Sequence, residues 1–214
     1  MLAHSSRIAA SVGIGLPLLS QVTGGGAPGT SHKIKVVVAG AHPDDPESGC
    51  GGTIALYSDL GHEVVVLYLT RGEAGIPNKS AQQAAAIRTS ECQKACAILK
   101  ARPIFAGQID GNTAVSLLAY DAWAQSRKSF DLYYFEVDQG SQTQQFYPTN
   151  YVDIGQTESR KRAACFAHAS QQPETGFYQL HDKMNHFRGM ECGCDLAESF
   201  VRHCQNLGTS LPQR

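Results

Sequence analysis

The 214 residues include 18 Lys and Arg against 19 Asp and Glu, which gives a formal net charge of −1 at pH 7. This balance argues against nucleic acid or an anionic membrane surface as a partner, because both require a basic excess. The length suits one domain with a full hydrophobic core. The seven cysteines form an odd number, so at least one thiol stays unpaired in a single chain.

The N-terminal segment differs in composition from the rest of the chain. Arg7 precedes a mostly apolar run at 8–19, which is too short to span a bilayer but has the length of a signal-peptide core. A Gly-rich stretch at 24–31 is typical of a flexible linker. We therefore predict a leader and linker over 1–32 and one domain over 33–214. Export to the periplasm or extracellular space and a cytoplasmic location both stay open.

Apolar runs of strand length alternate with helical patterns from residue 34 onward. Strands are predicted at 34–39, 63–69, 103–106 and 131–137, and an irregular or hairpin segment at 139–149. Helices are predicted at 51–60, 82–100, 113–126, 158–170 and 196–205. This alternation predicts an α/β fold, a Rossmann-like doubly wound sheet that is mostly parallel.

The first predicted strand is followed directly by His42-Pro43-Asp44-Asp45. Open α/β sheets place their chemistry at the carboxyl ends of strands, and Pro43 stiffens this turn. One imidazole and one carboxylate can bind a divalent metal, while the second carboxylate accepts a proton from metal-bound water. The alternative is an ordinary turn whose Asp residues cap the next helix.

The segment from Ala41 to Thr53, AHPDDPESGCGGT, resembles the opening motif of the PIG-L/LmbE-like family of zinc-dependent de-N-acetylases. Further similar segments follow in the same order. They are Thr70-Arg71-Gly72-Glu73, Arg88-x-x-Glu91, Asp110-Gly111, Leu132-Tyr133-Tyr134-Phe135-Glu136, Lys161-Arg162-Ala163-Ala164-Cys165 and His168-Ala169-Ser170-Gln171. The resemblance covers most of the chain from Lys33 to about Cys204, and its first motif is the most specific.

One element of the family is absent. The family continues after its Asp-Gly pair with a helix, a strand and an Asp-x-His-x-Asp-His-like loop, which supplies the third zinc ligand and an acid for the departing amine. Here Asn112 to Val115 leads straight into the helical pattern of the next segment, and no His occurs between His62 and His168. The chain therefore resembles a family member in which one strand-helix unit, with this loop, is missing.

The resemblance implies a role for each residue of the motif. His42 and Asp45 would bind Zn²⁺, and Asp44 would be the general base that deprotonates the attacking water. Arg88 and Asp110 would contact the hydroxyls of an N-acetylated amino sugar. Arg88 could instead form a helix-surface pair with Glu91, and Asp110 could simply belong to an Asp-Gly turn.

Several residues could replace the missing ligand or form a second site. His181 is predicted on a loop before Asp182, and strand 131–137 could slide beside the first strand and bring Glu136 or Asp138 to the metal. A second metal site at Cys192-Gly193-Cys194 with His203 and Cys204 fits no familiar zinc spacing.

The sequence predicts a metal-dependent hydrolase that removes an N-acetyl group from an amino sugar or a related small molecule and is impaired by the missing ligand. The alternative is an inactive, truncated or sugar-binding protein of the same fold. A homo-oligomer stays open, since a second subunit could lend a ligand.

Overall fold

The computed structural model describes residues 33–107, 115–137 and 146–203. The predicted leader at 1–32, Asp110, Asp138 and Cys204 lie outside these residues. No helix within the described residues is long and apolar enough to cross a membrane.

The first half of the chain forms a parallel sheet. Strands β1 (Lys35–Gly40), β2 (Glu63–Tyr68) and β3 (Arg102–Phe105) pair in the order β1-β2-β3. Helices α1 (Asp45–Asp59) and α2 (Ala81–Leu99) connect them. The predicted α/β class with a parallel sheet is therefore confirmed, and these strands begin and end within one residue of the predicted positions.

The core lies between β2 and the two connecting helices. Val66 and Tyr68 of β2 are fully buried against Cys96 and Leu99 of α2. Helix α2 begins with a capping box, in which the Ser80 hydroxyl accepts a hydrogen bond from the Gln83 amide and the Gln83 side chain accepts one from the Ser80 amide. This cap fixes the start of the helix that carries Arg88.

The second half of the chain forms a separate antiparallel sheet. Strands β4 (Tyr133–Phe135), β5 (Asn150–Asp153) and β6 (Ala197–Arg202) pair in the order β4-β6-β5. Three helices, α3 (Val115–Gln125), α4 (Glu158–Phe166) and α5 (Phe177–Cys192), and a 3₁₀ turn (Ala169–Gln171) complete it. Neither β5 nor α5 was predicted from the sequence.

The predicted terminal helix at 196–205 is wrong, because 197–202 is the central strand of this sheet. β6 pairs with β4 on one side and β5 on the other, and its first four residues are buried. Glu198 is a buried charged residue within this strand, and Lys161, distant in sequence, compensates its charge. That pairing cannot be inferred from local spacing.

The prediction that strand 131–137 slides beside β1 is also wrong. β4 pairs with β6, and among the described residues β1 pairs only with β2. Val37 on β1 is 64% exposed. The backbone hydrogen bonds of β4 are instead made in the second sheet, where β6 is its antiparallel partner.

Candidate metal and catalytic site

The turn that carries His42 is anchored to the end of β2. The Ala41 carbonyl accepts hydrogen bonds from the Thr70 amide (3.1 Å) and the Thr70 hydroxyl (2.9 Å). Gly40 is required immediately before the turn, since a Cβ there would lie 2.6 Å from Cδ of Pro46. The motif therefore sits at the carboxyl end of the sheet, as the sequence predicted.

His42 and Asp45 face each other across this turn. Asp45 Oδ2 accepts a hydrogen bond from the His42 amide at 2.8 Å and lies 3.4 Å from His42 Nδ1. The hydrogen bond to Asp45 raises the pKa of His42, against the opposing effect of burial. The His42 side chain is 45% exposed, so the imidazole is accessible to a metal ion from solvent.

Asp44 is held in a different environment from its neighbour. Its backbone is left-handed, with φ of 92°, and its Oδ2 lies 2.9 Å from Arg88 Nη2. Burial raises the pKa of Asp44 to about 6, although Arg88 acts in the opposite direction. A carboxyl group with a pKa near the working pH is suited to accept a proton.

Arg88 is buried under the turn rather than on a helix surface. Its side chain is 3% exposed, and Nη2 also donates to the Pro43 carbonyl. Its Nε and Nη1 have no hydrogen-bond partner among the described residues. Glu91 instead accepts hydrogen bonds from the amide and hydroxyl of Ser170 at 2.7 and 2.8 Å. The alternative interpretation of Arg88 and Glu91 as a surface pair is therefore wrong.

A buried polar cluster lies beneath the motif and was not predicted from the sequence. Glu47 is fully buried, and its Oε1 accepts a hydrogen bond from the Tyr68 hydroxyl and lies 3.5 Å from His168 Nε2. Burial lowers the pKa of His168, but the Glu47 carboxylate raises it and this second effect prevails. Glu47 and His168 both fall in motifs of the resemblance, which was the available signal.

No third metal donor accompanies His42 and Asp45 in the described structure. Within 33–107, 115–137 and 146–203, no group of three His, Cys, Asp or Glu side chains could hold a metal ion. His181 lies buried on α5 rather than on the predicted loop, with its ring 6.3 Å from that of Phe177. Glu136 is occupied by Arg188, at 2.7 and 2.9 Å.

The donor types nevertheless suit zinc, which binds imidazole nitrogen and carboxylate oxygen. A catalytic zinc takes three protein ligands, and His42 and Asp45 could supply two of them. Asp110 and Asp138 lie outside the described residues, and their predicted roles stay predictions. The second metal site that the Cys192 spacing already disfavoured gains no support from the described residues, because the His203 ring packs against Trp123 with centroids 4.6 Å apart.

Residues 37–131 match the PIG-L family, whose description is GlcNAc-PI de-N-acetylase. A curated relative is 1D-myo-inositol 2-acetamido-2-deoxy-alpha-D-glucopyranoside deacetylase 1 of Saccharopolyspora erythraea. It is 39% identical over 75 residues, which are 31% of this chain and 25% of the relative. The chain thus matches about a quarter of the length of that relative.

Solved structures share the fold at low identity. The N,N'-diacetylchitobiose deacetylase of Pyrococcus horikoshii is 19% identical with a TM-score of 0.64, and the match covers 79% of this chain and 83% of that one. GalB, the 4-carboxy-2-hydroxymuconate hydratase of Pseudomonas putida, is 17% identical with a TM-score of 0.66, covering 83% and 99%. The fold alone therefore does not decide the reaction. The match to the PIG-L family over residues 37–131 bears out the resemblance predicted from the His42 motif, and the solved structures share the fold.

Proposed function

We propose that this chain is a metal-dependent hydrolase that removes an N-acetyl group from an amino sugar or a related small molecule, working from an incomplete metal site. The observation that carries the proposal is the arrangement of His42, Asp44 and Asp45 in one anchored turn. The donors His42 and Asp45 face each other, and Arg88 holds the second carboxylate, that of Asp44, apart from them. The names of the curated relative and of the Pyrococcus structure, both deacetylases of acetylated amino-sugar compounds, support the choice of substrate.

His42 and Asp45 would hold the metal. A bound Zn²⁺ supplies an activated water and stabilises the negative charge that develops on the amide oxygen. The described residues supply no third donor, which weakens retention of the metal, so we expect low affinity rather than none. Both side chains are partly exposed, at 45% and 20%, which leaves room for a metal and a substrate to approach from solvent.

Asp44 would accept the proton of the attacking water. Arg88 fixes Oδ2 of Asp44, which leaves Oδ1 to take the proton. The buried guanidinium also prevents the carboxylate from turning toward His42 and becoming a further ligand. Arg88 is therefore proposed first as a positioning residue, and its predicted contact with substrate hydroxyls requires its Nε or Nη1 to become accessible.

The competing proposal is a sugar-binding protein without turnover. The lack of a third donor in the described residues supports it, and so does the missing acid, whose loss costs about 10²–10⁴-fold in rate. Both proposals expect a folded chain with an intact motif. They differ in whether metal and base are used.

Zinc binding and acetate release together distinguish the two proposals. Zinc affinity should be measured by calorimetry on the native chain, on His42→Ala and Asp45→Asn, and on His186→Ala as a matched control with an exposed imidazole on α5. We expect weaker binding in the first two variants and no change in the control. Equal affinity in all four proteins would remove the metal site from this proposal.

Acetate release from N-acetylglucosamine-type substrates should then be measured in the native chain and in Asp44→Asn. Slow release that Asp44→Asn abolishes while zinc affinity persists supports the hydrolase. Substrate binding without acetate release in either protein supports the sugar-binding alternative. Release that is unaffected by Asp44→Asn would contradict the role of that carboxylate.

A further inference from the structure

Two thiols lie in contact at the end of α5, far along the chain from the His42 motif. Cys192 is the last residue of the helix, and Gly193 takes the left-handed conformation that ends it, with φ of 83°. Cys194 follows, and its Sγ lies 3.5 Å from Sγ of Cys192. At this distance a small movement of the two side chains is enough to bring the sulfurs to bonding distance.

The turn that holds the two sulfurs is tightly built. The amides of Gly193 and Cys194 both donate to the Gly189 carbonyl, at 2.8 and 3.0 Å. Gly189 must be glycine, because a Cβ there would lie 2.6 Å from the carbonyl oxygen of Cys194. The backbone therefore holds Cys192 and Cys194 close together within one tight turn.

Accessibility distinguishes this pair from the other cysteines that the structure describes. Cys50, Cys92, Cys96 and Cys165 are all buried, whereas Cys192 is exposed and Cys194 is half-buried. Cys92 and Cys96, one helical turn apart on α2, are fully buried in the core. A reagent in solution should therefore reach Cys192 first and the core thiols only after unfolding.

We propose that Cys192 and Cys194 form a reversible dithiol–disulfide site that exchanges with low-molecular-weight disulfides of the glutathione type. The Cys192 thiolate attacks one sulfur of the disulfide, and the first glutathione leaves as a thiolate that takes up the proton lost by Cys192. Cys194 then attacks the Cys192 sulfur of the mixed disulfide and releases the second glutathione. Two protein thiols are oxidised, and one glutathione disulfide is reduced to two thiols.

Closing the bond changes the connection between α5 and β6. The sulfurs must approach from 3.5 Å to about 2.05 Å, so the contacts of Cys192 Sγ with the Gly189 carbonyl and of Cys194 Sγ with the Leu196 carbonyl are strained or lost. Leu196 directly precedes β6, whose Glu198 binds the backbone of α1. Oxidation therefore acts on the element that supports α1, and the inference does not depend on the proposed deacetylation.

The test is direct, because trypsin cuts after Arg188 and Arg202. The resulting peptide, 189–202, contains both cysteines and no other. The full chain should be equilibrated in buffers of reduced and oxidised glutathione, quenched with acid, alkylated and digested. We expect the unalkylated peptide, lighter by two hydrogens, to exceed the mixed disulfide at least tenfold, while Cys92 and Cys96 stay reduced.

Single variants separate the two steps. Cys194→Ser should trap glutathione on Cys192, and Cys192→Ser should react more slowly because Cys194 is less exposed. A native chain that accumulates only the mixed disulfide on Cys192, or that leaves both thiols free at high ratios of oxidised to reduced glutathione, would overturn the proposal. Equal labelling of Cys92 and Cys96 in the folded chain would overturn the argument from accessibility.

Discussion

The buried ion pair between Lys161 and Glu198 should be among the most sensitive features of the fold. Lys161 Nζ lies 2.8 Å from Glu198 Oε1, and the two side chains are 0% and 1% exposed. Glu198 also accepts the amide hydrogens of Gly52 and Thr53 at 2.9 and 2.7 Å. α1 is interrupted at Cys50, with φ of −147°, so these amides belong to the first turn of the regular helix that follows. Glu198 thus caps α1 from the other sheet.

Replacing Lys161 by Met removes the charge with little change in volume. It leaves a buried carboxylate without its cation and the Asn185 side-chain oxygen without its donor, which lies at 3.0 Å. Breaking a buried pair in this way costs about 3–5 kcal/mol. The double variant Lys161→Met, Glu198→Gln leaves no buried charge, and its cost should fall to about 1–3 kcal/mol for imperfect capping hydrogen bonds.

The assay is urea unfolding of the two single variants, the double variant and the native chain, followed by circular dichroism. The expected coupling energy is about 2 kcal/mol or more, since the second substitution relieves the effect of the first. Lys100→Met is the matched control, because Lys100 contacts Asp59 at 2.9 Å in an exposed pair that solvent screens. Additive single variants, or a control as damaging as Lys161→Met, would refute the reasoning.

Four further predictions test other parts of the structure. Gly52→Ala should destabilise the fold by about 1–3 kcal/mol in urea unfolding, because its Cβ would lie 2.6 Å from Ile154. Gly155→Ala is the control, since its Cβ would meet only an Asp153 oxygen at 3.2 Å. Equal losses of stability in the two variants would contradict the packing argument. Because the pKa of His168 is raised in the folded state, its protonation stabilises the fold below the unfolded-state pKa of about 6.5, and this contribution is lost as pH rises through the folded-state pKa. The difference in unfolding free energy between the native chain and His168→Gln should therefore shrink from pH 5.5 to 8.5. A difference that grows with pH would contradict this argument. Val37→Thr should lower any concentration-dependent self-association seen by light scattering, because it makes the exposed edge of β1 less apolar, and unchanged association would exclude that edge. Insertion of a family-like strand and His-containing loop between Val115 and Ser116 should raise acetate release by about 10²–10⁴-fold. Asp44→Asn in the same inserted chain should abolish that release. A folded inserted chain without any gain would mean that the absence of this loop does not limit activity.

The first half of the fold was predictable because its signals are local. β1 and β2 are short Val-rich runs, and the carboxyl end of β1 carries the polar motif directly. Parallel strands with connecting helices bring such an end to one edge of the sheet by topology alone. The contact between His42 and Asp45 spans only three residues, so the spacing was enough to predict it.

The second half depends on contacts that local patterns do not show. Glu198 interrupts an apolar strand and is tolerated only because Lys161 lies 37 positions earlier in the chain and folds against it. α5 carries Asn185 and Arg188 on its buried face, so its pattern lacks the apolar stripe of an amphipathic helix. Buried polar networks of this kind mislead prediction from hydrophobic periodicity.

The contacts that position Asp44 differ from those that would hold a metal ion. Asp44 is positioned by Arg88, and α2, which carries Arg88, is tied through Glu91 to Ser170. All of these contacts join described residues outside the loop that the family resemblance predicts to be missing. They would hold Asp44 in place equally well in an active enzyme and in one that has lost its third ligand. Folding of the motif therefore depends on Arg88, Glu91 and Ser170, whereas zinc affinity and acetate release would depend on the donors that join His42 and Asp45.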